Sequence, residues 1–325
     1  MRRRSLIAGI VAATAMPLTA RAQRTLPVIG FLSTAYANLS APLVQAFRKG
    51  LGEAGFEEGR NVTIEYRWAE GRHERLAEMA SDLVARNVAV IAATGGSPAP
   101  LAAKAASSRI PIVFQVGVDP VEIGLVEHLN RPGGNITGST MLAVDLEPKR
   151  LELLREMVPR ARTMVAVVNP ENPVRNSRDS KLAAAAQLLG LELTWLLAAN
   201  AQQMEAAFEK LSRTPPDALV IASDPLFNSH GARLGALALQ HRLPAVYQFR
   251  PFVTSGGLMS YGGSITDAYR IAGKYTGRVL KGERPGELPV QQSTRFEFFL
   301  NLKTAKALGI EVPFIMIARA DEVIE

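Results

Sequence analysis

The sequence predicts an α/β protein made of two doubly wound parallel-sheet units, and three observations carry that expectation. Short apolar strands alternate with amphipathic helices from residue 26 onward, the pattern of a parallel sheet with helices on both faces. The alternation restarts near residue 147, with no matching repeat in the sequence itself. The chain has 325 residues, 47 % hydrophobic and 21 % charged, which is ordinary globular composition and enough for two domains of average size.

In the first unit, LPVIGFLS (Leu26–Ser33) reads as a strand. Ala41–Gly55 is a helix, with Leu43, Phe47, Leu51 and Ala54 at helical spacing and Gly55 as its stop. Strands follow at Asn61–Ala69, Val88–Thr94 and Ile110–Val116, separated by helices at Arg75–Arg86 and Ser97–Ser107. Gly133–Leu142, with two glycines and polar β-branched residues, suits an extended crossover between the units. In the second unit, helices are expected at Glu147–Val158, Ser177–Gly190, Ala201–Ser212 and Gly231–His241. Between them lie strands at Thr163–Asn169, Leu191–Leu197, Asp217–Ser223 and Leu243–Phe249. The last section holds a strand, a glycine hinge and a helix to Leu280, then a strand at Phe296–Asn301 and a helix at Leu302–Leu308. It contains no third core, so these elements must complete the existing sheets and the chain must pass between lobes more than once. The expected division is 26–141 with 262–290 in lobe 1, and 142–261 with 291–325 in lobe 2.

Ligands of open parallel sheets sit beyond the carboxyl ends of the strands. The turns there are polar, small or aromatic, while the strands behind them are apolar. In lobe 1 they contain Ser33, Thr34 and Tyr36, then Gly95, Gly96 and Ser97, then Asp119. In lobe 2 they contain Asn169, Ser223 with Asp224, and Tyr247 to Arg250. Three of the turns share one grammar: Asp119, Asn169 and Asp224 each precede a proline, which disfavours helix at the residue before it and fixes the exit of the chain. Gly95–Gly96–Ser97 leads into a helix with Pro98 at a favoured early position. Its free amides can hold a carboxylate or phosphate, or Ser97 can serve only as a helix cap. Asp119 and Asp224 can receive an ammonium or hydroxyl, or cap the segments after them; PVEIG after Asp119 looks like a helix start. Tyr36 and Tyr247 can wall a ring or pack at the rim, and Arg250 can pair with an acid or face water.

The first 22 residues read as a signal peptide: Arg2, Arg3 and Arg4, an apolar run from Leu6 to Leu18, and Ala20-Arg21-Ala22 before Gln23. The apolar run is shorter than the roughly 20 residues that span a bilayer. Arg3-Arg4-Ser5-Leu6-Ile7 fits a twin-arginine pattern, and the Sec route is equally open. The formal charge of +7 includes the four arginines of this leader and no leader acid, which leaves +3 on the rest of the chain. With no dense basic run, a nucleic-acid partner is not expected. The absence of cysteine excludes disulfides, thiol nucleophiles and thiolate metal sites. His73, His128, His230 and His241 have no metal-ligand spacing, and no nucleophile-elbow, dinucleotide or Walker motif occurs. No catalytic constellation, metal or cofactor is therefore expected.

Four segments carry a family likeness: IPIVFQVGVDPVEIGLVEHLNRPGGNITGST, GRNVTIEYRWAEG, LELLREMVPRARTMVAVVNPENP and the tail LPVQQSTRFEFFLNLKTAKALGI. As a set, over nearly the whole chain from Leu26, they resemble the family of ABC-transporter substrate-binding proteins that includes tryptophan- and tyrosine-binding members. The resemblance implies a type I periplasmic-binding fold, with two Rossmann-like lobes joined by a multi-strand hinge and closing over a small organic solute. It implies a soluble, monomeric periplasmic protein that delivers an amino acid or aromatic acid to an ABC permease and its ATPase. The usual cleft positions fall at Ser33, Thr34, Gly95, Gly96, Ser97, Asp119, Asn169 and Asp224. The lipid-anchor cysteine of many Gram-positive relatives is missing, which favours a free protein. A periplasmic sensor subunit for a receptor kinase and an α/β cleft enzyme are the competing expectations. A sugar-responsive repressor shares the fold, but a leader stands here where its headpiece would be.

Overall fold

The computed structural model describes residues 26–172 and 174–325; the expected signal peptide lies outside them. Among the described residues, no helix is long and apolar enough to cross a membrane.

Lobe 1 is built on β1 (Val28–Ser33), β2 (Thr63–Trp68), β3 (Val90–Thr94), β4 (Ile112–Val116), β5 (Ile136–Thr140) and the two-residue β11 (Gln291–Gln292). The sheet order is β11-β5-β4-β3-β1-β2, and every pairing is parallel. The period-2 alternation of a strand sends Leu32, Ile91 and Ala93 to one face and Ile29, Phe31, Val90 and Ala92 to the other. The first face is covered by α2 (Leu76–Ala85) and α3 (Pro98–Ala106), the second by α1 (Ala41–Glu53) and α10 (Ile265–Leu280). The crossing of α1 and α10 depends on reciprocal glycines. A Cβ on Gly50 would run into the Arg270 carbonyl, and one on Gly273 into the Phe47 carbonyl.

Lobe 2 contains β6 (Thr163–Val168), β7 (Glu192–Leu197), β8 (Ala218–Ile221), β9 (Ala245–Tyr247), β10 (Met259–Gly263), β12 (Phe296–Asn301) and β13 (Glu322–Ile324). Their order is β13-β12-β10-β9-β8-β6-β7, parallel except for the β10–β12 pair. The helices are α4 (Glu147–Met157), α5 (Arg175–Leu188), α6 (Ala201–Arg213), α7 (Pro225–Ser229), α8 (Gly231–Gln240), α9 (Arg250–Thr254), α11 (Leu302–Leu308) and α12 (Phe314–Arg319). The fold is the expected one of two doubly wound α/β lobes.

The Asp217 carboxylate ties the start of β8 to β6. It accepts from the amides of Arg162 (2.7 Å) and Thr163 (2.8 Å) and from the Thr163 hydroxyl (3.0 Å). The Thr163 and Arg162 amides hold its pKa below the usual carboxylate value. A depressed carboxyl adds stability above its unfolded pKa of about 3.9 and loses it as pH falls through the folded value. Asp217→Asn is therefore expected to cost about 1 kcal/mol at neutral pH. Urea unfolding across pH should show that gap closing below about pH 4.

The chain crosses between lobes at 141–146, at Ser264 and at 293–295. Backbone bonds lace the crossings: Ser293 N–H donates to Thr140 O (2.8 Å) and Ser264 N–H to Arg295 O (3.1 Å). Three details differ from expectation. Gly133–Leu142 is not simply a crossover, because its centre is β5, a fully buried strand paired with β4; the crossing starts after it. PVEIG after Asp119 forms turns rather than a helix. Gly262 and Gly263 pair with β12 in lobe 2, and Gln291–Gln292 pair with β5 in lobe 1, so both later crossings come about two residues beyond the expected places.

Candidate functional site

A cavity of about 130 Å³ lies between the lobes at the carboxyl ends of their strands. From lobe 1 it is lined by Thr34 and Tyr36 after β1, Gly95–Ser97 after β3, Gln115 of β4 and Tyr269 of α10. From lobe 2 come Asn172, Ser223–Pro225 and Asn228, with Gln248 and Phe249 after β9; Met141 and Ala143 come from the first crossing. The lobes meet at the rim. The rings of Tyr36 and His230 pack edge to face with centroids 6.4 Å apart, and Gly96 faces Pro225 with no room for a side chain.

The lobe 1 wall offers donors. Gly95 and Gly96 have φ of +84° and +114°, a backbone that glycine adopts without strain, and this turns the loop into the start of α3. Ser97 does not cap α3 with its side chain, and the Gly96 and Ser97 amides have no partner among the described residues. Free amides, a hydroxyl and the positive end of a helix dipole suit an anionic group. Thr34 donates its hydroxyl to Gly95 O and so fixes the loop. Burial pushes the Tyr269 phenol up to about 12, against the nearby Thr94 hydroxyl and Gly95 backbone, so at neutral pH it stays protonated in the wall. The Thr94 hydroxyl itself is buried without a hydrogen bond of good geometry.

The lobe 2 wall offers an acceptor. Asp224 is buried and supplies the lining's one carboxylate; no lysine or arginine joins it. Its Oδ1 accepts from the Leu226 amide (2.9 Å) and from Asn169 Nδ2 (3.2 Å), and its Oδ2 from Asn172 Nδ2 (2.8 Å). It thus caps the short α7. A carboxylate has about four lone-pair sites, so one stays open to a ligand ammonium or hydroxyl. Asp224→Ala should leave three donors without their acceptor, lower stability by about 1–3 kcal/mol, and weaken binding of an amine-bearing ligand tenfold or more. Calorimetry with chemical denaturation reads both, and unchanged affinity would remove Asp224 from the site.

Of the residues singled out in the sequence, Thr34, Tyr36, Gly95, Gly96, Ser97 and Asp224 come together on the cavity. The other four do not line it. Ser33 is buried behind the loop, its hydroxyl accepting from the Ala35 amide (3.3 Å). Asn169 reaches the site through Asp224. Asp119 closes its own turn by accepting from the Val121 amide (2.8 Å). Tyr247 points into the core of lobe 2, stacked on Phe252 with centroids 4.9 Å apart, because β9 is covered on both faces. Burial raises its pKa far above that of a free phenol. Arg250 pairs with Glu322 (2.6 Å) on the surface.

A family model described as ABC transporter substrate binding protein matches residues 37–324. A tyrosine-binding protein of Clostridioides difficile is 28 % identical over 268 residues, 82 % of this chain and 76 % of that protein. A Streptococcus pneumoniae ABC domain in complex with L-Trp superposes with a TM-score of 0.83 at 23 % identity, covering 92 % of this chain and 100 % of the other. A ligand-free, open substrate-binding protein with adhesive properties from Clostridium difficile gives a TM-score of 0.66 at 24 % identity, with 92 % and 99 % covered.

Proposed function

The chain belongs to the ABC transporter substrate-binding protein family, and we propose that it binds an aromatic α-amino acid between its lobes in the periplasm and delivers it to an ABC permease. One observation carries this reading: the cavity has opposite chemistry at its two ends. Unpaired amides and the Ser97 hydroxyl at the start of α3 suit a carboxylate, and the open site on Asp224 suits an ammonium. Tyr36, Tyr269 and Phe249 supply ring surface between and around them. The ligands of the relatives, tyrosine in one and L-Trp in the other, are of the same class. The better superposition on the L-Trp complex than on the open protein agrees with lobes drawn together, as closure over a solute requires. Export through the N-terminal leader would place the protein beside its permease.

Thermal unfolding of the mature chain, refolded from denaturant to strip carried ligand, tests the reading. L-Tyrosine, L-tryptophan and L-phenylalanine are the probes, against aliphatic amino acids, sugars and nucleosides. A true ligand at 100 times its Kd adds about 2.7 kcal/mol of stability and is recovered unchanged. Stabilisation by sugars or nucleosides alone, or conversion of the bound compound, would replace this function with another.

A further inference from the structure

Behind the lobe 2 wall lies a fully buried arginine that the binding reading does not use. Arg150 of α4 is 0 % exposed. Its Nη2 donates to Ala143 O (2.8 Å) and Ser223 Oγ (2.7 Å), and its Nη1 donates to Tyr261 O (3.1 Å). Those partners belong to three functional parts of the molecule. Ala143 is in the first crossing, Tyr261 is on the strand that runs into the second, and Ser223 lines the cavity next to Asp224. Glu147, one turn earlier, is also 0 % exposed and accepts from the Ser223 amide (2.7 Å). Ser223 Oγ in turn donates to Ala143 O (3.1 Å). Ser223 is therefore held through both backbone and side chain, and its hydroxyl proton is already committed.

The first crossing also contains a strained bend. Leu142 has φ +45°, a left-handed conformation costly for a branched side chain. The Arg150 bond to the adjacent Ala143 carbonyl helps hold it. The planar guanidinium suits this task, since its fork can serve carbonyls in different directions at once, which an ammonium cannot do with the same geometry.

We propose that Arg150 is a positioning residue that couples the cavity wall at Ser223–Asp224 to the first two crossings between the lobes, so that filling the cavity sets the interlobe angle. This rests on the reading of the molecule as a binding protein that closes on an amino acid. The chain has no cysteine, so Glu78→Cys on α2 and Gln202→Cys on α6, both exposed positions, label one lobe each. Distances between spin labels are then measured with and without L-tyrosine and L-tryptophan, and affinities by calorimetry. The paired variant Glu147→Gln with Arg150→Met removes the guanidinium without stranding a buried carboxylate. Arg150→Lys keeps the charge and loses the fork. Phe208→Leu in the lobe 2 core, remote from the network, controls for lost stability.

In the unsubstituted protein the label distance should shorten and narrow with ligand. Both Arg150 variants should bind at least tenfold more weakly and lose most of that shortening, while Phe208→Leu keeps it. Variants that close fully and bind within threefold of the parent overturn the proposal, as does an equal loss of closure in Phe208→Leu at equal stability. A parent that does not move with either amino acid would overturn the closing reading as well, so the two failures are told apart.

Discussion

Gly96→Ala is expected to raise the Kd for the bound amino acid about 100-fold, equivalent to about 2.7 kcal/mol, with a separate loss of stability in the free protein. The two effects have separate causes. At φ +114° an alanine is strained in open and closed forms alike, a folding cost of order 1–3 kcal/mol. The new methyl also overlaps Pro225 Cγ of the opposite lobe, and that contact exists only when the lobes are together. Calorimetric titration with L-tyrosine and L-tryptophan measures the second effect, and urea unfolding without ligand measures the first. Pro225→Ala removes the clashing ring atom, so the paired variant should regain tenfold or more of the lost affinity. A double-mutant cycle with no coupling between these contacting residues would mean that they do not meet in the bound state.

Gly273→Ala tests the junction that completes lobe 1. On an exposed helix this change would stabilise by up to about 1 kcal/mol through helix propensity. Here the added Cβ falls on the Phe47 carbonyl and the Leu51 amide of α1. Backbone atoms cannot rotate away, so α10 has to lift off. A net loss above about 4 kcal/mol is expected, in the range reserved for core disruption. Denaturant unfolding followed by the fluorescence of Trp68 in lobe 1 and Trp195 in lobe 2 should show the lobe 1 signal moving first. A neutral or stabilising result would mean that the helices do not cross this closely.

Much of the fold is legible because strand and helix periods are local. Phe296–Asn301 and Leu302–Leu308 occupy the expected residues, and most other elements differ only at their ends. β5 escapes because NITGST is polar and glycine-rich, like a loop. What makes it a buried strand is remote: the hydroxyls of Thr137, Ser139 and Thr140 donate to the carbonyls of Leu288, Ala268 and Val118. The short α7 and α9 begin at Asp-Pro and Arg-Pro steps that also read as turns.

The site is legible to the extent that strand-end chemistry is local. The Gly95–Ser97 loop and Asp224 are found by position and residue type. Tyr247 and Tyr269 show the limit. Tyr247 sits at a strand end and yet turns inward, while Tyr269 comes from a helix that follows a lobe 2 strand and packs in lobe 1. Gln115 is a polar residue within an otherwise apolar buried strand, on the same face as Val113, and its place on the cavity depends on where β4 sits in the sheet. Asn172 and Asn228 become visible only once lobe 2 is folded, where Asn172 donates to Asp224 and Asn228 accepts from Gln248.

The route of α10 has a further consequence for the order in which the molecule forms. By Thr140 the five main strands of the N-terminal lobe exist, yet one face of their sheet, with Ile29, Phe31, Val90, Ala92 and Val113, has only α1 against it. The second cover begins at Ile265. In between, the chain has laid down five consecutive strands of the other lobe, from Thr163 to Gly263. During synthesis or threading from the N-terminus, the half that emerges first is therefore the last to be sealed. Until the chain reaches Leu280, that half presents an unfinished apolar face, the kind of surface on which holding chaperones act and aggregation starts.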